Sequence, residues 1–136
     1  MTRNRSDIGR AGEFLAAYIL ETHGIEVHHV DRAGADLWCK VRDAIFTIQV
    51  KACQAPAQNT KRSSLYYNYR THNNAADWYC FVALDRELLI VKPVQSIVAT
   101  TTRIAPSEFN EANQRRTIED MIHERAGPPG VSGTDG

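Results

Sequence analysis

Residues 34–51 read Gly-Ala-Asp-Leu-Trp-Cys-Lys-Val-Arg-Asp-Ala-Ile-Phe-Thr-Ile-Gln-Val-Lys, the pattern of a tight β-hairpin. One strand opens at Asp36, Arg42 and Asp43 make the turn, and a second strand covers residues 45–52. Successive side chains on a strand point to opposite faces, so Phe46, Ile48 and Val50 share one face and Thr47, Gln49 and Lys51 the other. The apolar face must be covered, and a helix is the expected cover. The polar face then carries an amide and an ammonium side by side. Asp36, at the start of the partner strand, can bring a carboxylate to that face.

Before the hairpin, Ser6 or Asp7 can cap a helix that runs to about His23, with Gly24 as its stop. Ile8, Gly12, Leu15 and Ile19 form its core-facing stripe. Glu13 lies to the side of that stripe, flanked by the small residues Gly9, Ala16 and Ala17. Its carboxylate can therefore approach a ligand or a neighbouring backbone, although a solvated helix glutamate fits the same position. Residues 25–30 read as a first strand. His28 and His29 are adjacent there, face opposite sides and cannot chelate one ion together.

After the hairpin, residues 53–64 are loop-like and 65–69 form a further strand. A polar stretch with a turn at Asn73 and Asn74 leads to a strongly apolar run, 78–84, expected as a buried central strand. Residues 88–92 form another strand, ended by Pro93, and 94–97 a short helical turn. Residues 100–105 give no clear pattern. Ser107 can cap a last helix over 108–125, with Phe109, Ala112, Ile118, Met121 and Ile122 on a loose apolar face. Residues 1–125 are thus expected as one domain and 126–136 as a flexible tail.

Hydrophobic residues make up 43% and charged residues 24% of the 136, an ordinary globular balance. The formal net charge is zero, so any affinity for nucleic acid must come from local segregation of charge. Segregation is present. Residues 51–76 hold Lys51, Lys61, Arg62 and Arg70 and no Asp or Glu, interleaved with tyrosines. That mixture suits phosphate contacts and base packing, by Tyr67 and Asn73 among others; a solvated basic loop with core tyrosines has the same composition. The three cysteines are widely spaced, which disfavours a disulfide framework or a zinc ribbon. No apolar run approaches a membrane span and the first residues lack the apolar core of a signal peptide, so a cytoplasmic protein without membrane contact is expected.

Gly9-Arg10-Ala11-Gly12-Glu13 in the first helix, Ala35-Asp36-Leu37 at the start of the second strand and Ile48-Gln49-Val50-Lys51 in the third together resemble the PD-(D/E)XK nuclease superfamily. The resemblance spans about residues 7–93. Its nearest form is the small prokaryotic or phage-type endonuclease with Gln-x-Lys, followed by a segment like Asp77-Trp78-Tyr79-Cys80-Phe81-Val82-Ala83-Leu84. It implies an α/β fold with an αβββαβ core around a mixed sheet, here with an extra β excursion and a C-terminal helix. It also implies a Mg²⁺- or Mn²⁺-dependent endonuclease. Asp36 would be the principal metal ligand, and Glu13 would ligate the ion or position its water. Gln49 stands where an acid is usual, Val50 would offer its carbonyl, and Lys51 would orient or polarise the attacking water.

The expected substrate is duplex DNA, cut by a homing- or restriction-like enzyme that leaves a 5′-phosphate. Arg10, Lys61, Arg62, Tyr67, Arg70 and Asn73 are the expected DNA contacts. Cutting both strands implies a homodimer or homotetramer. A Holliday junction resolvase acting on branched DNA, a non-catalytic DNA-binding module and a partner-binding protein are the alternatives. Gln49 weakens the metal site, because an amide oxygen brings no negative charge.

Overall fold

The computed structural model describes residues 4–32, 34–58, 64–71 and 75–127, apart from the side chains of Arg5, Asp31 and Arg32. Helix α1 (Arg5–Thr22) starts one step before the cap read from the sequence. The Asn4 side chain accepts the Asp7 N–H at 2.9 Å, satisfying a first-turn donor that has no partner within the helix. Gly24 ends it at φ 85°, a conformation in which a Cβ would be strained. The stripe that reaches the core is Gly12, Ala16, Ile19 and Leu20, whereas Ile8 and Leu15 are half-buried.

The chain continues through β1 (Glu26–Arg32), β2 (Ala35–Val41) and β3 (Ala44–Cys53), then β4 (Ala57–Gln58) and β5 (Leu65–Arg70). It returns through β6 (Trp78–Ala83), β7 (Leu88–Pro93), β8 (Thr101–Ile104) and α2 (Glu111–Ala126). The main sheet has the order β1-β2-β3-β6-β7, and β3 runs parallel to β6 while every other adjacent pair is antiparallel. A parallel pair needs a long crossover. Among the described residues that crossover carries β4 and β5 rather than a helix. They join β8 in a small antiparallel sheet, the β excursion expected from the sequence.

The strict alternation of β3 sorts the molecule into two apolar layers. Phe46, Ile48 and Val50 join Leu37, Cys39, Cys80, Val82 and Val91 under α1 and α2, which contribute Ala16, Leu20, Ile118 and Met121. Burying each large aliphatic side chain there contributes roughly 1.5–3 kcal/mol. On the other face Tyr79, Phe81 and Ile90 meet Tyr67 and Tyr69 of β5, Ile104 of β8 and Phe109. Strand β6 is buried along its whole length because both of its faces are covered.

Two elements depart from the sequence expectation near the C-terminal end. Residues 101–104 form β8, pairing Tyr67 with Ile104 and Tyr69 with Thr102. Helix α2 starts three residues late. Residues 106–108 make a 3₁₀ turn, Phe109 is buried before the helix begins, and Asn110 is the cap, accepting the Asn113 N–H at 2.8 Å. Ala126 and Gly127, the start of the expected tail, accept hydrogen bonds from Arg42; residues 128–136 lie outside the described residues. No described helix is long and apolar enough to cross a membrane.

Candidate active site

The site forms where the β2–β3 ladder stops. Its last backbone pair on this side is Leu37 with Ile48. One step further the Asp36 side chain replaces the backbone acceptor, its Oδ2 taking the Val50 N–H at 2.8 Å. That bond fixes the carboxylate and satisfies a donor that the departing strand would otherwise strand. Extending the register sets Asp36 opposite Gln49, and the period of two sets Lys51 on the same face. In an extended strand a residue's N–H and C=O leave from the same edge, so the Val50 carbonyl also points toward the side on which Asp36 lies.

The electrostatics are those of a half-buried pair. Burial raises the Asp36 carboxyl above its ordinary value of 3.8; the Val50 N–H and the Lys51 ammonium pull it back without cancelling the rise. Burial likewise lowers Lys51 from 10.5, opposed by the attraction of Asp36. Both directions are the reverse of a well-solvated ion pair, so desolvation outweighs the mutual attraction. Perturbed groups of this kind cluster at functional sites.

Helix α1 crosses the opposite face of the sheet, from which Ile48 and Val50 project. Glu13 Oε1 lies 3.9 Å from His29 Nδ1, and His29 pairs with Leu37, next in β2 to Asp36. Glu13 therefore comes to the same end of the sheet as Asp36, from the α1 side. Gly12 permits the close approach. A Cβ on it would stand 2.5 Å from the Ala52 Cβ. A cleft of about 590 Å³ runs between α1 and β5 along the last part of β3, lined by Ile8 and Gly9 of α1 together with Val50, Lys51, Asn68 and Arg70; Asp36, Gln49 and Glu13 lie outside its lining. A groove of about 680 Å³ at the other end of the sheet, between His23, Arg42, Glu119, Asp120 and His123, holds none of Asp36, Gln49 and Lys51.

The structure thus brings Asp36, Gln49, Val50 and Lys51 to one strand end, with Glu13 at its margin. Arg10 is exposed on α1, and Arg70 is exposed and lines the cleft. Lys61, Arg62 and Asn73 lie outside the described residues. Tyr67 needs correction as a DNA contact. It is fully buried, its ring 4.8 Å from that of Phe109, and its hydroxyl donates to Asp85 Oδ1 at 2.7 Å. Asn68, which the sequence reading did not single out, shares the outer face of β5 with Arg70 by the same period of two that sends Tyr67 inward, and lines the cleft.

Among the described residues no three or more His, Cys, Asp or Glu side chains are grouped to hold a metal ion. An ion at Asp36 would draw on neutral oxygens as well. The donor set fits a hard divalent cation in kind, being all oxygen: the Asp36 carboxylate, the Gln49 amide, the Val50 carbonyl and the Glu13 carboxylate.

No family model and no curated protein sequence matches the chain. The fold is similar to the solved structure of a bacterial homing endonuclease, I-Ssp6803I, with a TM-score of 0.63 and 19% identity over 76% of this chain and 77% of that one.

Proposed function

We propose that this chain is a metal-dependent endodeoxyribonuclease that cuts duplex DNA in the manner of a homing or restriction enzyme. One observation carries the reading: a carboxylate fixed by a backbone N–H and coupled to a desolvated lysine, at the strand end of a fold similar to that of a bacterial homing endonuclease. Asp36, Gln49, the Val50 carbonyl and Glu13 would hold one Mg²⁺ or Mn²⁺. Bound there, the ion supplies Lewis acidity toward a phosphoryl oxygen and lowers the pKa of the attacking water.

The remaining steps belong to the chain. Lys51 sets a compact positive charge against a non-bridging phosphate oxygen, where negative charge grows in the transition state. Glu13, approaching from α1, accepts a hydrogen bond from the water and orients it for in-line attack. Asp36 keeps its position through the Val50 N–H, so little reorganisation accompanies the reaction. As the water oxygen bonds to phosphorus the P–O3′ bond breaks. The water's proton passes to solvent and the 3′-oxygen leaves as a hydroxyl protonated from solvent, so the product carries a 5′-phosphate. Cutting both strands requires two copies of the centre, in a homodimer or homotetramer.

Nicking of supercoiled plasmid tests this reading. The parent is expected to nick with Mg²⁺ or Mn²⁺ and not in EDTA, and Asp36→Ala and Lys51→Ala are expected to lose nicking while still binding DNA. Variants that cut as well as the parent remove these residues from the active site. A second reading, a binding module without catalysis, is favoured by the missing third acid at Gln49. It requires DNA retention with no cleavage under any divalent metal.

A further inference from the structure

We infer that the outer face of the small sheet, the β5–β8 ribbon, is the surface that enters the major groove of DNA, with Arg103 and Asn68 at its centre. This rests on the nuclease reading and assigns the substrate-positioning surface of that same site. The inner side chains of the ribbon, Tyr67, Tyr69 and Ile104, are buried. Period two then sends Tyr66, Asn68 and Arg70 of β5 and Thr101 and Arg103 of β8 outward. Asn68 stands directly opposite Arg103, and Arg70 opposite Thr101. Asn68, Arg70, Thr101 and Arg103 are exposed.

The chemistry of this face is one-sided. Neither β4, β5 nor β8 carries an Asp or Glu, in a chain whose acidic and basic residues are equal in number. The occupant is therefore anionic. The face is also continuous with the candidate active site, since Asn68 and Arg70 line the cleft that holds Lys51. An anion lying along the ribbon is led to Lys51 in the last part of β3.

Shape selects duplex DNA among anions. The B-form major groove is about 12 Å wide and admits a two-stranded antiparallel ribbon. The deep, narrow major groove of A-form RNA does not. Arg and Asn are also the residue types that pair bidentately with the guanine and adenine edges exposed there. Arg103 and Asn68, as a cross-strand pair, can address neighbouring base pairs, while Arg70 at the cleft mouth meets the backbone next to the reacting phosphate.

The test is fluorescence anisotropy of the full chain with a linear mixed-sequence duplex, without divalent ion, across a salt series. Arg103→Ala is expected to bind about tenfold more weakly, with a salt slope shallower by about 0.9, and Arg103→Glu more weakly still. Double-stranded RNA of the same sequence is expected to compete at least about tenfold less well than the DNA. Arg103→Glu binding as tightly as a parent that nicks plasmid overturns the ribbon and leaves the nuclease reading intact. Equal competition by RNA overturns the groove assignment. A parent that neither binds nor nicks DNA overturns the nuclease reading itself, and the ribbon with it.

Discussion

Replacing Gly12 with alanine tests how tightly α1 must sit on β3 for the site to form. The new Cβ would stand 2.5 Å from the Ala52 Cβ, whereas two carbons rest at about 3.5–4.0 Å. Helix and strand must therefore separate by roughly 1–1.5 Å, or both must distort. Overpacking of this kind costs about 1–3 kcal/mol, and the better helix propensity of alanine returns about 1 kcal/mol. The net expectation is a loss of about 1 kcal/mol, which in a domain of this size lowers Tm by about 4 °C. Gly9 supplies the control on the same helix. Nothing lies within 4 Å of a Cβ there, so Gly9→Ala should stabilise by about 0.4–1 kcal/mol. Urea and thermal unfolding of the two variants measure the difference directly. Nicking should fall further in Gly12→Ala than its stability explains, because about 1 Å of misplacement can cost about 10²-fold in rate. Adding Ala52→Gly removes the atom that Gly12→Ala meets and should restore part of the lost nicking. Equal stability of Gly12→Ala and Gly9→Ala would refute the packing argument.

Two further expectations concern single side chains. A carboxyl whose pKa is raised on folding contributes stability that is full below its unfolded value, near 3.8, and is lost as pH rises through the raised folded value. Asp36→Asn keeps an acceptor for the Val50 N–H, so without metal it should gain stability relative to the parent as pH rises through that window and hold the gain above it. Urea unfolding at a series of pH values reads this, and a gain that instead appears on acidification contradicts it. Tyr67→Phe should cost about 1 kcal/mol through loss of the bond to Asp85 and leave DNA affinity unchanged. Weaker DNA binding at unchanged stability would return Tyr67 to the DNA surface.

The hairpin was legible because alternation along residues 45–52 is strict and its two faces differ in chemistry. That pattern alone fixed which side meets α1 and which side carries Gln49 and Lys51. The end of the ladder was less legible. Nothing in the sequence says that β2 parts from β3 at Asp36, which is what turns a side chain toward the Val50 N–H. Tyr67 was misread for a similar reason. The period of β5 pairs Tyr67 with Tyr69 and separates them from Tyr66, Asn68 and Arg70, but which set faces inward depends on β8 and Phe109. Strand β8 was itself hidden. Four residues, three of them polar, carry no strand signal until β5 supplies a partner more than 30 residues away. The helix starts were misplaced because a serine near each suited the cap, whereas Asn4 and Asn110 do the capping.

Anomalous scattering from a crystal of the full chain soaked in Mn²⁺ with a DNA duplex tests the central claim most directly. The account predicts a peak at inner-sphere distance, about 2 Å, from an Asp36 carboxylate oxygen, with the Val50 carbonyl in the same shell and Lys51 facing the nearest phosphate. A peak in the groove of His23, Glu119, Asp120 and His123 instead, with DNA bound and Asp36 bare, would contradict it.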